Sequence, residues 1–215
     1  SLGREGSDYT AAIIGSCMSA TEVIIWKDVK GILNADPVFF DNTQTLPRLS
    51  YRETIEMAYY GAKVLHPKTI KPLQNHEIPL RIKSFYDPRH NGTIISEDVP
   101  EDFSVPHYII KEKQILFTLY PKDLSMISDL IYKDLYELLK MASIKVNLMQ
   151  NTAVSFTFCC DMDEIRVKRF LELASDIYRI RYNENVSILT LRHYHGTKAN
   201  KYMRNKEIIL EQKSR

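Results

Sequence analysis

The sequence Gly3-Arg4-Glu5-Gly6-Ser7-Asp8 decides how the first part of the chain is interpreted, because an apolar run over residues 9–14 follows it directly. Glycines let a backbone approach a ligand closely, and Ser7 or Asp8 can cap a helix over the apolar run. The amino end of a helix favours an anion, and Arg4 can hold a carboxylate or phosphate through two hydrogen bonds. The stretch predicts either a site for a small anionic molecule or a capped surface helix.

The composition is that of an ordinary globular protein, with 44% hydrophobic and 26% charged residues among 215. A net charge of +2 does not indicate a nucleic-acid partner. No apolar run reaches the length of a membrane span. The three cysteines, including the vicinal pair Cys159 and Cys160, fit buried reduced thiols in a cytoplasmic protein better than disulfides or a zinc site. The first residue is not Met, and we expect a fragment of a longer protein.

The first half of the chain alternates helix and strand patterns, which is typical of an open α/β domain. Lys27 and Asp28 directly follow an apolar β-branched run, and such a sheet binds its ligand at the carboxyl ends of its strands. Ser50 and Glu53 have the spacing of a capping box, and Gly61 can end the helix that follows. The patterns predict helices over residues 9–20, 50–60 and 69–75, and strands over 22–26 and 79–84.

The second half has the element order βαββαβ, which predicts a split βαβ sandwich with helices on one face of an antiparallel sheet. A polar, turn-rich stretch over residues 87–102 separates it from the first half. Two short segments near the end, a helix over 198–205 and a strand from 208 to 210, predict the start of a second copy. The main module comprises strands over 108–110 and 114–120, a helix over 126–141, strands over 145–149 and 154–160, a helix over 164–174, and strands over 178–181 and 186–191.

Three motifs together resemble aspartate kinase, the enzyme that phosphorylates the side-chain carboxylate of aspartate with ATP. The family's Gly-Arg-Gly-Gly-Ser-Asp is present with Glu5 in place of a glycine, and its Thr-Asp-Val-x-Gly is present with Lys27 in place of the threonine. The family's Gly-Ala-Lys-Val-Leu-His-Pro is unchanged from Gly61 to Pro67. The resemblance implies the ATP-binding half of an amino-acid-kinase α/β domain over residues 1–97. It also implies an α+β, ferredoxin-like ACT regulatory domain over 104–215, with part of a second ACT module.

The resemblance also implies roles for individual residues. Arg4 and Ser7 would hold the aspartate substrate, and Asp8 would organise the transfer site. Because phosphoryl transfer needs cations near the moving group, Lys63 is the best candidate for contact with the ATP phosphates. We expect ATP to bind together with Mg²⁺, at a site formed by Lys27, Asp28, Gly31, Lys63 and Val64.

In the regulatory half, the resemblance implies an amino-acid effector near Ser125 and Asn147. Asn147 stands where the family has an aspartate, so it can hydrogen-bond an amino acid but offers no charge. His193 and His195 alternate at a strand end, and we expect them to be surface histidines and expect no metal. Edge strands of a single βαββαβ sheet invite pairing with another chain, which predicts a homodimer through residues after about Phe103.

Two functions of different classes fit these observations. The first is a fragment of an ATP-dependent aspartate kinase with ACT-mediated allosteric regulation, inactive by itself. The alternative is a non-catalytic ACT-type module that senses an amino acid or assembles subunits. Binding of nucleic acid through the basic residues near the carboxyl end is disfavoured, because Glu207 and Glu211 are interspersed with them.

Overall fold

The computed structural model describes residues 6–63, 65–97, 99, 105–123, 125–194 and 206–213. The chain forms two compact units, and each of them has its own sheet and its own buried core. Unit 1 comprises Ser1–Ile110 and Leu189–Arg215, and unit 2 comprises Lys111–Ile188. Among the helices described, none combines the length and the apolar character that crossing a bilayer requires.

Unit 1 has a four-stranded mixed sheet of order β1-β3-β4-β2. Strand β1 runs parallel to β3 and β2 runs parallel to β4, whereas β3 and β4 are antiparallel. The two short strands β2 and β4 were not predicted from the sequence. The elements in chain order are α1 (Gly6–Cys17), β1 (Val23–Lys27), β2 (Arg48–Ser50), α2 (Tyr51–Tyr59), α3 (Pro67–Gln74), β3 (Leu80–Ser84) and β4 (Thr93–Ser96).

Helix α2 begins and ends at the predicted signals. The Ser50 Oγ accepts a hydrogen bond of 3.0 Å from the Glu53 backbone amide, which confirms the predicted cap. At the other end Gly61 has φ 110°, and Ala62 donates to the Met57 carbonyl at 2.9 Å. This left-handed ending, which favours glycine, directs the chain from α2 into the Gly61–Pro67 heptapeptide.

The last two residues of that heptapeptide start helix α3. The His66 Nδ1 caps the helix by accepting from the Lys68 amide at 3.1 Å, and Pro67 occupies the first turn, where no amide donor is needed. Helix α3 packs against α1. The core of unit 1 is mostly aliphatic, with Ile70, Leu73 and Leu80 fully buried.

Unit 2 contains the predicted βαββαβ module, and its sheet has the order β6-β7-β5-β8. Strand β7 is antiparallel to both β5 and β6. The core is rich in aromatic rings, with Phe117 stacked on Phe158 and in edge contact with Phe170. The elements are β5 (His107–Pro121), α4 (Asp129–Met141), β6 (Val146–Asn151), β7 (Phe156–Asp161), α5 (Glu164–Ala174) and β8 (Tyr178–Arg192). The predicted fold class, α/β followed by ferredoxin-like α+β, is therefore confirmed.

Several predicted boundaries were wrong. Strands β5 and β8 each continue through the turns expected at residues 112–113 and 183–185. Lys113 and Asn185 adopt φ near 55°, and one such residue bends a strand without ending it. In β5 the Gln114 side-chain amide donates to the carbonyls of Glu112 and Lys113, which satisfies groups displaced by the bend.

Other corrections concern helix α4 and the end of the chain. Helix α4 begins at Asp129 instead of residue 126, with Ser128 as its cap residue. The described residues 206–213 form neither helix nor strand, so the strand predicted over 208–210 is wrong. The helix predicted over residues 198–205 lies outside the described residues. The vicinal Cys159 and Cys160 are free and buried, as predicted.

Candidate functional site

Asp8 and Lys27 form an ion pair at one end of the unit 1 sheet. Asp8 lies in the first turn of α1 and Lys27 is the last residue of β1, and the Lys27 Nζ is 3.1 Å from the Asp8 Oδ2. The Lys27 side chain is 24% exposed, and the Asp8 side chain is 13% exposed. The pair therefore occupies the carboxyl end of the parallel strands β1 and β3, which is where α/β sheets bind ligands.

The amino end of α1 differs in one respect from the sequence prediction. Helix α1 is described from Gly6 onward, so Ser7 and Asp8 lie within the helix instead of capping it from outside. Ser7 is exposed. Arg4, the predicted partner of Ser7 in binding substrate, lies outside the described residues.

The loop after β1 is held in place by packing around Gly31. This glycine is buried with φ 147°, and a Cβ there would lie 2.6 Å from the Thr93 Oγ1 and 2.8 Å from the Thr45 Cγ2. The Thr93 hydroxyl also accepts from the Ile32 amide at 2.8 Å and donates to the Leu46 carbonyl. Packing alone therefore requires glycine at this position, and a role beside a nucleotide stays a prediction. Asp28, earlier in the loop, is exposed.

The Gly61–Pro67 heptapeptide meets the Asp36-Pro37 turn through a charged contact. The Lys63 Nζ is 3.9 Å from the Asp36 Oδ2, and the Lys63 side chain is 86% exposed. The Asp36 Oδ1 accepts from the Val38 amide, which keeps this carboxylate oriented. The contact joins the predicted heptapeptide to this turn, although an exposed pair at this distance contributes little stability by itself. Val64 lies outside the described residues.

The structure also contains an open groove of about 410 Å³ in unit 1. None of the predicted site residues that the structure describes lines it. The lining residues are Thr45, Pro47, Arg89, His90, Asn91 and Gly92.

In unit 2, Asn147 is part of a closed polar network. Its side-chain amide donates to the Gln114 Oε1 at 2.8 Å and to the Asp161 Oδ1 at 2.9 Å, and its oxygen accepts from the Lys111 Nζ. Burial by itself would raise the pKa of Asp161, but hydrogen bonds from Lys111, Gln114 and Asn147 outweigh it and lower that pKa. Asn147 therefore already uses its donors and acceptor within the protein.

Ser125 lies at the other end of the same sheet. Its amide and hydroxyl both donate to the Asp123 Oδ1, which lowers the pKa of Asp123. The next described contact, from the Ile127 amide to the Ala153 carbonyl, places this loop beyond the end of β6. Asn147 is near the start of β6, and a strand rises about 3.3 Å per residue. Within a single copy of the chain, Ser125 and Asn147 therefore lie far apart.

A buried ion-pair cluster around Glu53 was not predicted. The Glu53 carboxylate accepts two hydrogen bonds of 2.8 Å from Arg192, and the His107 Nδ1 and His193 Nε2 each lie 3.0 Å from its Oε1. Burial would raise the pKa of Glu53, but hydrogen bonds from Arg192 and His107 outweigh it and hold that pKa well below its ordinary value.

This cluster corrects two predictions. The Glu53 side chain, expected to complete the capping box with Ser50, instead binds Arg192 and the histidines. His193 was expected at the surface and is only 15% exposed, whereas His195 lies outside the described residues. The partners are 54 and 139 residues from Glu53 along the chain, so no local pattern indicated them.

Comparison with known proteins gives a consistent result. Residues 1–84 match the amino acid kinase family. The lysine-sensitive aspartokinase 3 of Escherichia coli (strain K12) is 31% identical over 198 residues, which cover 88% of this chain and 44% of that protein. The bifunctional aspartokinase/homoserine dehydrogenase of Haemophilus influenzae is 46% identical over 101 residues, or 47% of this chain and 12% of that protein. A crystal structure of E. coli aspartokinase III in complex with aspartate and ADP matches with a TM-score of 0.74 and 30% identity, over 88% of this chain and 44% of that chain.

Residues 1–84 thus match the amino acid kinase family, and within this stretch the Asp8–Lys27 pair lies at the carboxyl end of β1. The chain is similar to aspartokinases, and this similarity extends beyond residues 1–84 to 88% of its length. The chain spans less than half the length of each of these relatives.

Proposed function

We propose that this chain is the ATP-binding and regulatory part of an aspartate kinase, a phosphotransferase whose acceptor is a carboxyl group. The whole protein would transfer a phosphoryl group from ATP to the side-chain carboxylate of L-aspartate, giving 4-phospho-L-aspartate. One observation carries the proposal, namely the partly buried Asp8–Lys27 pair at the carboxyl end of β1. The similarity to a relative whose structure contains aspartate and ADP supports it.

The pair suits phosphoryl transfer because a lysine ammonium has three donors, and Asp8 holds this ammonium at the carboxyl end of β1. Asp8 orients Lys27, so that the ammonium can meet phosphate oxygens without a large loss of side-chain freedom. Lys27 stands where the resembled motif has threonine, and it adds a positive charge there. Mg²⁺, when bound, would neutralise charge on the phosphates, and exposed Asp28 has the oxygen ligands that this ion prefers.

Calorimetric titration with ATP and Mg²⁺ tests the nucleotide site. Replacing Lys27 or Lys63 by Met should weaken binding by roughly 1.5–3 kcal/mol, because each change removes a charge-assisted contact. Lys71→Met is the matched control, since this lysine is exposed near the end of α3 and we expect unchanged affinity. Equal affinities for wild type and Lys27→Met, or no binding by the wild type at millimolar ATP, would reject the proposal.

The catalytic part of the proposal concerns the longer protein. Arg4 and Ser7 would bind the aspartate carboxylates there, with Asp8 organising the transfer. Since the chain covers 44% of the E. coli relative, we expect no ADP release from the chain alone in the presence of aspartate and ATP. Turnover by the chain that disappears in Arg4→Ala would show that this stretch is sufficient for the reaction.

For unit 2 we propose assembly and amino-acid sensing, within a cytoplasmic homodimer. The predicted dimer relies on edge strands, and in unit 2 the edges are β6 and β8, whereas β5 and β7 lie inside the sheet. The edges therefore remain the candidates for pairing with a second copy. Light scattering coupled to size exclusion should give twice the chain mass of 25.1 kDa, and a monomer at micromolar concentration would contradict it.

A non-catalytic sensing module is the alternative function, and the ferredoxin-like fold of unit 2 favours it. The lysine sensitivity in the name of the E. coli relative makes lysine the first amino acid to test. Titration of the chain with lysine distinguishes the two functions. If the chain binds lysine but not ATP, sensing without nucleotide binding is the better description.

A further inference from the structure

The Glu53 cluster brings one carboxylate and two imidazoles together inside unit 1. Glu53 comes from the first turn of α2, His107 is the first residue of β5, and His193 follows the last residue of β8. The side chains of Glu53 and His107 are 14% and 4% exposed. Their three ligand atoms, the Glu53 Oε1, the His107 Nδ1 and the His193 Nε2, all lie within 4.8 Å of one another.

Three side-chain nitrogens lie close to the Glu53 Oε1. This oxygen faces the Arg192 Nε at 2.8 Å together with the two imidazole nitrogens at 3.0 Å. A carboxylate oxygen has two lone-pair directions, so the Glu53 Oε1 cannot accept from all three nitrogens at once. One cation bonded to both imidazoles and to the carboxylate would need only one of those directions and would leave the other to Arg192.

The local charge also favours a cation. Arg192 binds both oxygens of Glu53, and its Nη1 is 3.3 Å from the Glu56 Oε2. Two carboxylates thus share one guanidinium, which leaves a net negative charge when the imidazoles are neutral. Glu53 is only 14% exposed, so solvent screens little of the negative charge that faces a cation at its Oε1.

We propose that Glu53, His107 and His193 bind a divalent transition-metal ion of the Zn²⁺ type. Zinc bonds to nitrogen and oxygen of about 2.0–2.1 Å place tetrahedral ligand atoms roughly 3.3 Å apart, so small side-chain shifts close the site. Two imidazoles and one carboxylate are a common ligand set for zinc and for iron. Each imidazole binds through a lone pair, so its proton resides on the other ring nitrogen or is released.

Arg192 has a supporting role in this site. Its Nη2 bonds the Glu53 Oε2 at 2.8 Å, the oxygen that the metal does not use. A hydrogen-bonded ligating carboxylate is fixed in orientation, and such outer partners commonly affect metal affinity. The guanidinium and the metal repel each other, and Glu56 offsets that repulsion because it lies beside Arg192.

Titration with Co²⁺, a spectroscopic probe for zinc sites, tests the proposal on the 215-residue protein after chelator treatment. Every sample carries Cys17→Ser, because this exposed thiol could bind metal by itself. We expect one Co²⁺ per chain, the visible spectrum of tetrahedral nitrogen and oxygen ligation, and displacement by Zn²⁺. Absence of stoichiometric binding, or a six-coordinate spectrum, overturns the site.

Variants assign the ligands. His107→Gln and His193→Gln should each lower Co²⁺ affinity at least about tenfold, whereas His76→Gln, at an exposed histidine of unit 1, should not change it. Retained affinity in either of the first two variants contradicts the assignment. If a variant does not fold, a Zn²⁺-dependent rise in the melting temperature of the parent protein serves as the second measurement. A melting temperature that Zn²⁺ leaves unchanged contradicts the proposal.

Discussion

The buried side chains of unit 1 differ in type from those of unit 2. Unit 1 surrounds partly buried charges, such as Glu53 with Arg192 and Asp8 with Lys27, by an aliphatic core. The core of unit 2 contains packed aromatic rings, and the carboxylates of its described ion pairs, Asp163 and Asp161, are 41% and 57% exposed. We infer that the partly buried charges of unit 1 position the groups of a site, whereas the buried rings of unit 2 stabilise the fold. Equivalent substitutions should therefore change the free energy of unfolding by different amounts in the two units.

The largest effect is expected from Phe117→Ala in unit 2. Phe117 is fully buried against Phe158 and Phe170, and removing a ring from such a core costs about 3–5 kcal/mol. Hydrogen exchange should show lost protection in residues 111–188. The control Ile165→Ala, at a highly exposed position of α5, should change stability by less than about 0.5 kcal/mol. Similar losses for both variants would contradict the ring-based core.

The second-largest difference between the units is expected in thiol reactivity. Burial raises the pKa of Cys159 to about 11 and that of Cys160 to about 12, so both thiols stay protonated at pH 8. Since the thiolate is the reactive form, each should alkylate at least about 100-fold more slowly than an ordinary cysteine. Exposed Cys17 should react first, and mass spectrometry should find one iodoacetamide adduct. Early modification of two or three cysteines would contradict the burial of the pair.

The variant Arg192→Met in unit 1 tests how much a partly buried ion pair contributes to the free energy of unfolding. It leaves the Glu53 carboxylate buried without its guanidinium, and we expect a loss of about 2–3 kcal/mol in the free energy of unfolding. Arg166→Met in unit 2 breaks an exposed pair with Asp163 and should cost less than about 1 kcal/mol. Chemical denaturation measures both variants. Equal losses would remove the contrast between the units.

The smallest effect concerns pH and Asp161 in unit 2. Because its pKa is lowered in the folded state, Asp161 contributes stability above its unfolded pKa of about 3.9, and this is lost as pH falls through the folded value. The carboxylate is more than half exposed, so the contribution should be under about 1 kcal/mol. The stability difference between wild type and Asp161→Asn should therefore shrink below pH 4. A stability difference that grows below pH 4 would contradict a lowered pKa of Asp161 in the folded protein.

Local signals in the sequence predicted most of the fold. Ser50, Gly61 and the periodic apolar residues of the helices depend on neighbours a few positions away, and such patterns are visible in one sequence. Strands β2 and β4 are three and four residues long, too short to show a period. The turns expected inside β5 and β8 were wrong because Lys113 and Asn185 bend a continuing strand.

The candidate site was predicted in part. The motifs indicated Asp8, Lys27 and Lys63 as site residues, and the structure pairs the first two and joins Lys63 to the Asp36 turn. The Glu53 cluster could not be predicted, because its members come from distant positions and only folding brings them together. Ser125 and Asn147 were predicted to contact an effector, and this role stays a prediction although the two residues lie at opposite ends of the sheet.

Amide chemical-shift mapping with ATP and Mg²⁺ tests the central claim most directly, because it locates nucleotide binding in one unit or the other. On the labelled 215-residue protein, we predict shifts at Lys27, Asp28 and Gly31 and around Lys63, with the amides of β7 and α5 in unit 2 unchanged. Shifts confined to residues 111–188, or none at millimolar ATP, would contradict an ATP site at the carboxyl end of β1.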